Sequence, residues 1–151
     1  MASASGSFFV DTNVLLYAHD LAASEKRARA REWILALSEV DRLIISPQVM
    51  NEFCSVVQRK MPDVSPADLD LALAAMERWC GAETSAATAR LGFALQIRYR
   101  LGFYDAVLVA SAVRASCSHL LTEDLSDGQV IERVRIINPF LRGPGDLRAS
   151  D

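Results

Sequence analysis

Four carboxylates stand in this sequence where an apolar setting makes an acid uncomfortable. Asp11 interrupts FVDTNVLLYA, between Phe8-Phe9-Val10 and Val14-Leu15-Leu16. Glu52 falls in SPQVMNEF, Asp105 in FYDAVLVASA and Asp124 in LLTEDLSDG. Ionised carboxylates are costly in apolar surroundings unless paired. Brought together, they also raise one another's pKa. A cluster of them therefore calls for a cation. The two histidines, His19 and His119, form no ligand pattern with the cysteines, so a zinc site is not expected. Hard divalent ions, Mg²⁺ or Mn²⁺, accept carboxylate and water ligands. Such ions serve phosphoryl chemistry by activating water and stabilising a leaving oxygen.

Each acid alone has a plainer reading. Asp105, at the start of a helix, is a cap or a partner of the helix dipole. Asp124 is a turn residue, and Glu52 a solvated helix residue. Asp11 fits least well as a bystander, because its strand holds almost nothing else polar. What alters the balance is where the surrounding elements place the four.

Residues 7–10 read as a first strand, 13–19 as a short helix and 24–38 as a longer helix capped by Ser24. LIIS, 43–46, is a second strand. Ser46-Pro47 and Ser65-Pro66 each open a helix, since proline suits the first helical position. The loop between these helices is short, so they form an antiparallel hairpin over about 47–79. A weak strand is read near 80–83, helices at about 85–99 and 104–115, and strands at 119–122 and 134–138. Strands alternating with helices imply an α/β fold with a parallel sheet covered on both faces. Ligands of such folds sit beyond the carboxyl ends of the strands. Asp11 and Asp124 follow strands, Glu52 lies in the second turn of a helix that follows a strand and borders its apolar face, and Asp105 opens a buried helix. Four separate segments thus aim at one sheet edge.

The 151 residues suit one domain, and the 51% hydrophobic content supports one core. No apolar run is long enough for a membrane helix. MASASGS lacks the pattern of a signal peptide, so residues 1–6 are expected to be a flexible start and the protein cytoplasmic. Cys54, Cys80 and Cys117 are scattered and expected to be free. The net charge of −3 argues against a non-specific nucleic-acid binder. Apart from Lys26 and Lys60, though, every basic residue is arginine, which suits phosphate recognition. Setting the four acids aside leaves the balance close to neutral, so an acidic chain does not exclude an RNA substrate.

FVDTNVLLYA, the glutamate of SPQVMNEF, FYDAVLVASA, LLTEDLSDG and the closing IINPF together resemble the PIN-domain proteins, and among them the VapC toxins of bacterial toxin–antitoxin pairs. The likeness runs over about residues 8–140. It implies a three-layer α/β/α sandwich with a central parallel sheet of four to five strands. The domain is expected over 7–140; the tail, 141–151, lies outside the likeness, and its turn-rich residues are expected to be partly loose. The activity implied is Mg²⁺- or Mn²⁺-dependent cleavage of RNA, with Asp11, Glu52, Asp105 and Asp124 as catalytic metal ligands. Thr12 and Asn13 match the remainder of the first motif. An antitoxin partner, clasped by the hairpin at 47–79, and a homodimer are implied as well. Thr12, Asn13 and Thr122 are expected to orient carboxylates or waters. Asp127 is either a water-mediated metal contact or a turn residue before Gly128. Tyr104 is expected to pack beside its helix rather than to stack on a base. Arg98 and Arg100 are expected on a solvated face, with phosphate contact as the alternative.

Two other functions remain open. One is a non-catalytic PIN module that binds RNA or a protein partner; an intact set of acids speaks against it. The other is a phosphatase of the haloacid-dehalogenase type, which also places an aspartate after its first strand. Its pattern needs a second aspartate two residues on, where this chain has Asn13.

Overall fold

Phe8, Phe9 and Val10 are buried without exception, as a strand covered by helices on both faces must be. They form β1 (Phe8–Val10) of a computed structural model that describes residues 6–148 and 150–151. Most of the start expected to be flexible thus lies outside the described residues. The elements that follow are α1 (Thr12–Tyr17), α2 (Ser24–Ser38), β2 (Leu43–Ile44), α3 (Pro47–Lys60) and α4 (Pro66–Glu77). Then come α5 (Ala86–Tyr99), α6 (Phe103–Arg114), β3 (His119–Leu121), β4 (Val130–Ile131) and β5 (Val134–Ile137). The five strands make one sheet in the order β2-β1-β3-β5-β4. The first four are parallel and β4 is antiparallel to β5. This is the α/β sandwich expected, with one difference at its edge.

That difference is β4. Ile131 pairs with Val134 across Glu132 and Arg133, whose φ values are 48° and 72°. A two-residue hairpin turn of this hand needs positive φ at both central positions and usually recruits Asn-Gly. Glu-Arg carries no such signal, so the hairpin was hidden. Near 80–83 the expected strand shrinks to a single bridge between Ile45 and Cys80. Ser24 is the first helical residue and Ala23 stands at the cap without a side-chain bond. Ser46 and Ser65 do cap, accepting from the backbone N–H of Val49 and Asp68. Helices α3 and α4 form the hairpin expected.

The chain runs from β1 to β2 on one side, then returns to β3 on the other side of β1. The crevice beyond the carboxyl ends of β1 and β3 is therefore a topological switch point, where open α/β sheets bind ligands. Helix α6, small and apolar, packs on β1, β3 and β5. It is backed by α5, and Gly92 permits the contact. A Cβ at position 92 would lie 2.8 Å from Val107 Cγ2 and 3.2 Å from its Cα.

The stretch after Phe140 is more firmly attached than expected. Trp33 Nε1 donates to the carbonyls of Pro139 and Arg142. Leu147 is buried in the core, and a turn of 3-10 helix at Pro144–Asp146 rests against α2. The physical reason is the buried indole, whose N–H has to find acceptors and finds them in this segment. No helix among the described residues is long and apolar enough to cross a membrane.

Candidate active site

Asp11 continues the sheet ladder by donating its N–H to Leu121 O, and it then starts α1 at the cap position. Its side chain does not cap that helix. The carboxylate instead accepts a 2.8 Å bond from Thr122 Oγ1, just past the end of β3. Asp11 is only 4% exposed. Burial pushes its pKa up to about 7, against the Thr122 bond, while the charges of Asp124 and Glu52 add to the rise. A strand buried on both faces places this acid rigidly and denies it water.

Glu52 and Asp124 are held in the same manner, by neutral donors. Glu52 Oε2 accepts from Thr12 Oγ1 at 2.9 Å, and Oε1 from Gln48 Nε2 at 3.1 Å, one helical turn earlier. Asp124 Oδ2 accepts from Asn13 Nδ2 at 2.7 Å, and its backbone N–H donates to Thr122 Oγ1 at 3.1 Å. Thr122 thus joins two of the acids through one hydroxyl. Asp105 lies in the first turn of α6, where the macrodipole favours an anion. Burial, then the Asp124 charge, raises its pKa. Gly102 keeps room beside it, since a Cβ there would sit 3.3 Å from Asp105 Oδ2.

All four acids line one cleft of about 470 Å³, together with Thr12 and Asn13. Among the described residues none of the four is in an ion pair. Nor do any three carboxylate, histidine or cysteine side chains among those residues form a ready cage for a metal ion. The donor set is nevertheless all hard oxygen and carries negative charge. An ion such as Mg²⁺, which keeps several waters and needs only one or two carboxylates, suits an open arrangement of this kind.

The remaining residues named from sequence fall both inside and outside the cleft. Asp127 Oδ1 accepts from the Asn138 N–H and from Arg142 Nη2, outside the cleft. These contacts tie the loop before Gly128 to the end of β5 and to the segment after it. Tyr104 does not pack beside its helix; it is 69% exposed and lines the cleft. Arg98 is paired with Glu132 at 2.6 Å, and Arg100 is the left-handed cap of α5; neither lines the cleft. Asn51, Ser55 and Arg59 on α3 do, and none of them was singled out from sequence. The signal was there, because Arg59 lies seven residues beyond Glu52 and so on the same helix face.

Fold and cleft together define an α/β protein with a carboxylate-lined site at its switch point. A family model described as PIN domain matches residues 8–129, and the chain belongs to the PIN domain family. Three solved structures resemble it in fold. A toxin–antitoxin complex from Klebsiella pneumoniae is 22% identical with a TM-score of 0.64, over 88% of this chain and 98% of that one. FitAcB from Neisseria gonorrhoeae is 15% identical with a TM-score of 0.60, over 88% and 98%. VapC20 from Mycobacterium tuberculosis, a toxin that cleaves the sarcin–ricin loop, is 17% identical with a TM-score of 0.52, over 76% and 87%. None of the curated proteins matches.

Proposed function

We propose that this protein is a Mg²⁺- or Mn²⁺-dependent endoribonuclease and the toxin of a toxin–antitoxin pair. The observation that carries the reading is the cleft itself. Four segments deliver Asp11, Glu52, Asp105 and Asp124 to one switch point. Asp11, Glu52 and Asp124 are held by neutral donors, and among the described residues none of the four is in an ion pair. Asp11, Asp105 and Asp124 would hold the ion, with Glu52 beside it. When bound, a divalent ion supplies charge neutralisation at the scissile phosphate and acidifies a water. Thr122, Thr12 and Asn13 keep the carboxylates aimed before substrate arrives. Glu52, oriented by Thr12 and Gln48, is the group that accepts a proton from the attacking water. Attack in line on phosphorus then breaks the bond to the 3′ oxygen, leaving a 3′-hydroxyl and a 5′-phosphate.

The partners belong to the same reading. An antitoxin is supported by the toxin–antitoxin complex among the structural relatives. It is also supported by an apolar groove lined by Leu15, Ala18, Ile34, Leu35, Met76 and Trp79. A homodimer would cover Phe93 and Ile97, exposed one turn apart on α5. The test is cleavage of RNA by the purified protein with Mg²⁺, in parallel with Asp11→Asn. We expect the wild type to cut and the variant to lose at least about a hundredfold in rate. Equal cutting by both would sink the assignment. A second reading is a PIN module that binds RNA or protein without cleaving it; beside it stands the observation that, among the described residues, no three carboxylate, histidine or cysteine side chains form a ready metal cage. Binding independent of Mg²⁺, with no RNA cut, would establish that instead.

A further inference from the structure

The acidic cleft does not end at the acids. A second hollow of about 270 Å³ adjoins it, sharing Asn13, Leu16 and Val56, and reaches Lys60 at the end of α3. The two form one trough. Along it α3 presents Glu52, then Ser55, then Arg59 and Lys60, at the spacing of a single helix face. Both cations are exposed, and among the described residues neither is in an ion pair. Arg78, Arg90 and Arg133 are exposed and outside these ion pairs as well; what sets Arg59 and Lys60 apart is that they line the trough. Two free cations in a trough that holds several carboxylates are placed for an anion from outside. Helix-end lysines and arginines also favour their own dipole, and the experiment below separates the two roles.

Tyr104 stands in the acidic part of the trough, next to Asp105. Its ring meets Phe103 edge-on, with centroids 5.4 Å apart and planes at 68°. That contact orients the ring while most of it stays open to solvent. An exposed aromatic oriented beside a phosphate-handling cleft is a platform for a nucleobase.

We propose that Arg59, Lys60 and Tyr104 are substrate-positioning residues, laying an unpaired RNA strand along the trough with its phosphates on Arg59 and Lys60 and a base on Tyr104. The inference rests on the ribonuclease reading above. It excludes duplex RNA as the preferred substrate, because a paired and stacked base cannot be set on the ring.

The test uses a short labelled single-stranded RNA and the same strand in a duplex. Cleavage is followed with Mg²⁺, and binding by anisotropy in EDTA over a range of salt. The Arg59→Gln/Lys60→Gln double variant should raise KM and flatten the salt dependence of binding by about 0.7 in log–log slope per lost phosphate contact. Tyr104→Leu should raise KM about tenfold while Tyr104→Phe restores it, since stacking needs the ring and not the hydroxyl. The duplex should be cut more slowly than the single strand by all of them. Variants that keep the wild-type KM and salt slope, or faster cutting of duplex, would overturn the positioning role while leaving the nuclease intact. A wild type that neither binds nor cuts RNA would overturn the ribonuclease reading and this one with it.

Discussion

With its carboxyl pKa at about 7, Asp11 is a liability to the fold whenever it is ionised. The cause is burial first, offset in part by Thr122 and worsened by Asp124 and Glu52. Below the ordinary carboxylate value of 3.8 the group is protonated in both folded and unfolded chains, and no cost arises. As pH rises from there towards 7, the unfolded chain gives up the proton first, and stability falls. Above 7 the full cost is present, on the order of 2–4 kcal/mol. Asp11→Asn keeps an acceptor for Thr122 and removes the charge. It is therefore expected to be more stable than wild type at pH 8 in EDTA, with the gap closing as pH drops to about 4. Urea denaturation at both pH values measures this. The four acids were legible in sequence because each breaks an apolar context or opens a helix, and the sheet-edge rule brings them together. Tyr104, Arg59 and Lys60 were less legible. An exposed side chain on a helix leaves no hydrophobic pattern, and only the cleft shows what it faces.

At the scale of elements, the site depends on how closely α5 and α6 approach. Gly92→Ala would press a methyl into Val107, and overpacking of this kind costs about 1–3 kcal/mol. Because α6 carries Asp105, the same shift should lower cleavage more than the lost stability explains. Adding Val107→Ala should restore part of both, as read by urea midpoints and initial rates. Helix α2 fixes the opposite side of the site. Lys26 Nζ binds Glu123 at 2.8 Å and lies over the rings of Tyr17 and Phe140, so the loop that carries Asp124 is tied to this helix. Most of the elements could be read from periodicity and from the Ser-Pro caps. The exceptions were decided by geometry without a residue signature. The turn at Glu132-Arg133 takes left-handed backbone without glycine or asparagine, and α2 begins without a capping side chain.

Over the whole molecule, one apolar core reaches from β2 to Leu147. Ending the chain after Phe140 would strip the Arg142 acceptor from Trp33 and the Arg142 guanidinium from Asp127. It would also lose the buried Leu147, worth about 1.5–3 kcal/mol. The truncated protein should unfold at lower urea by a corresponding amount. The parallel pairing at the heart of the sheet has a further consequence, for synthesis. Asp11 and Thr122, which meet in the cleft, are separated by 111 positions. At about 5–20 residues per second, a ribosome needs roughly 5–20 s to make the stretch between them. Through that interval β1 has no β3 to lie against, and the carboxylates have no common cleft. The cleft that carries the proposed activity therefore cannot form until synthesis has passed Thr122 and Asp124.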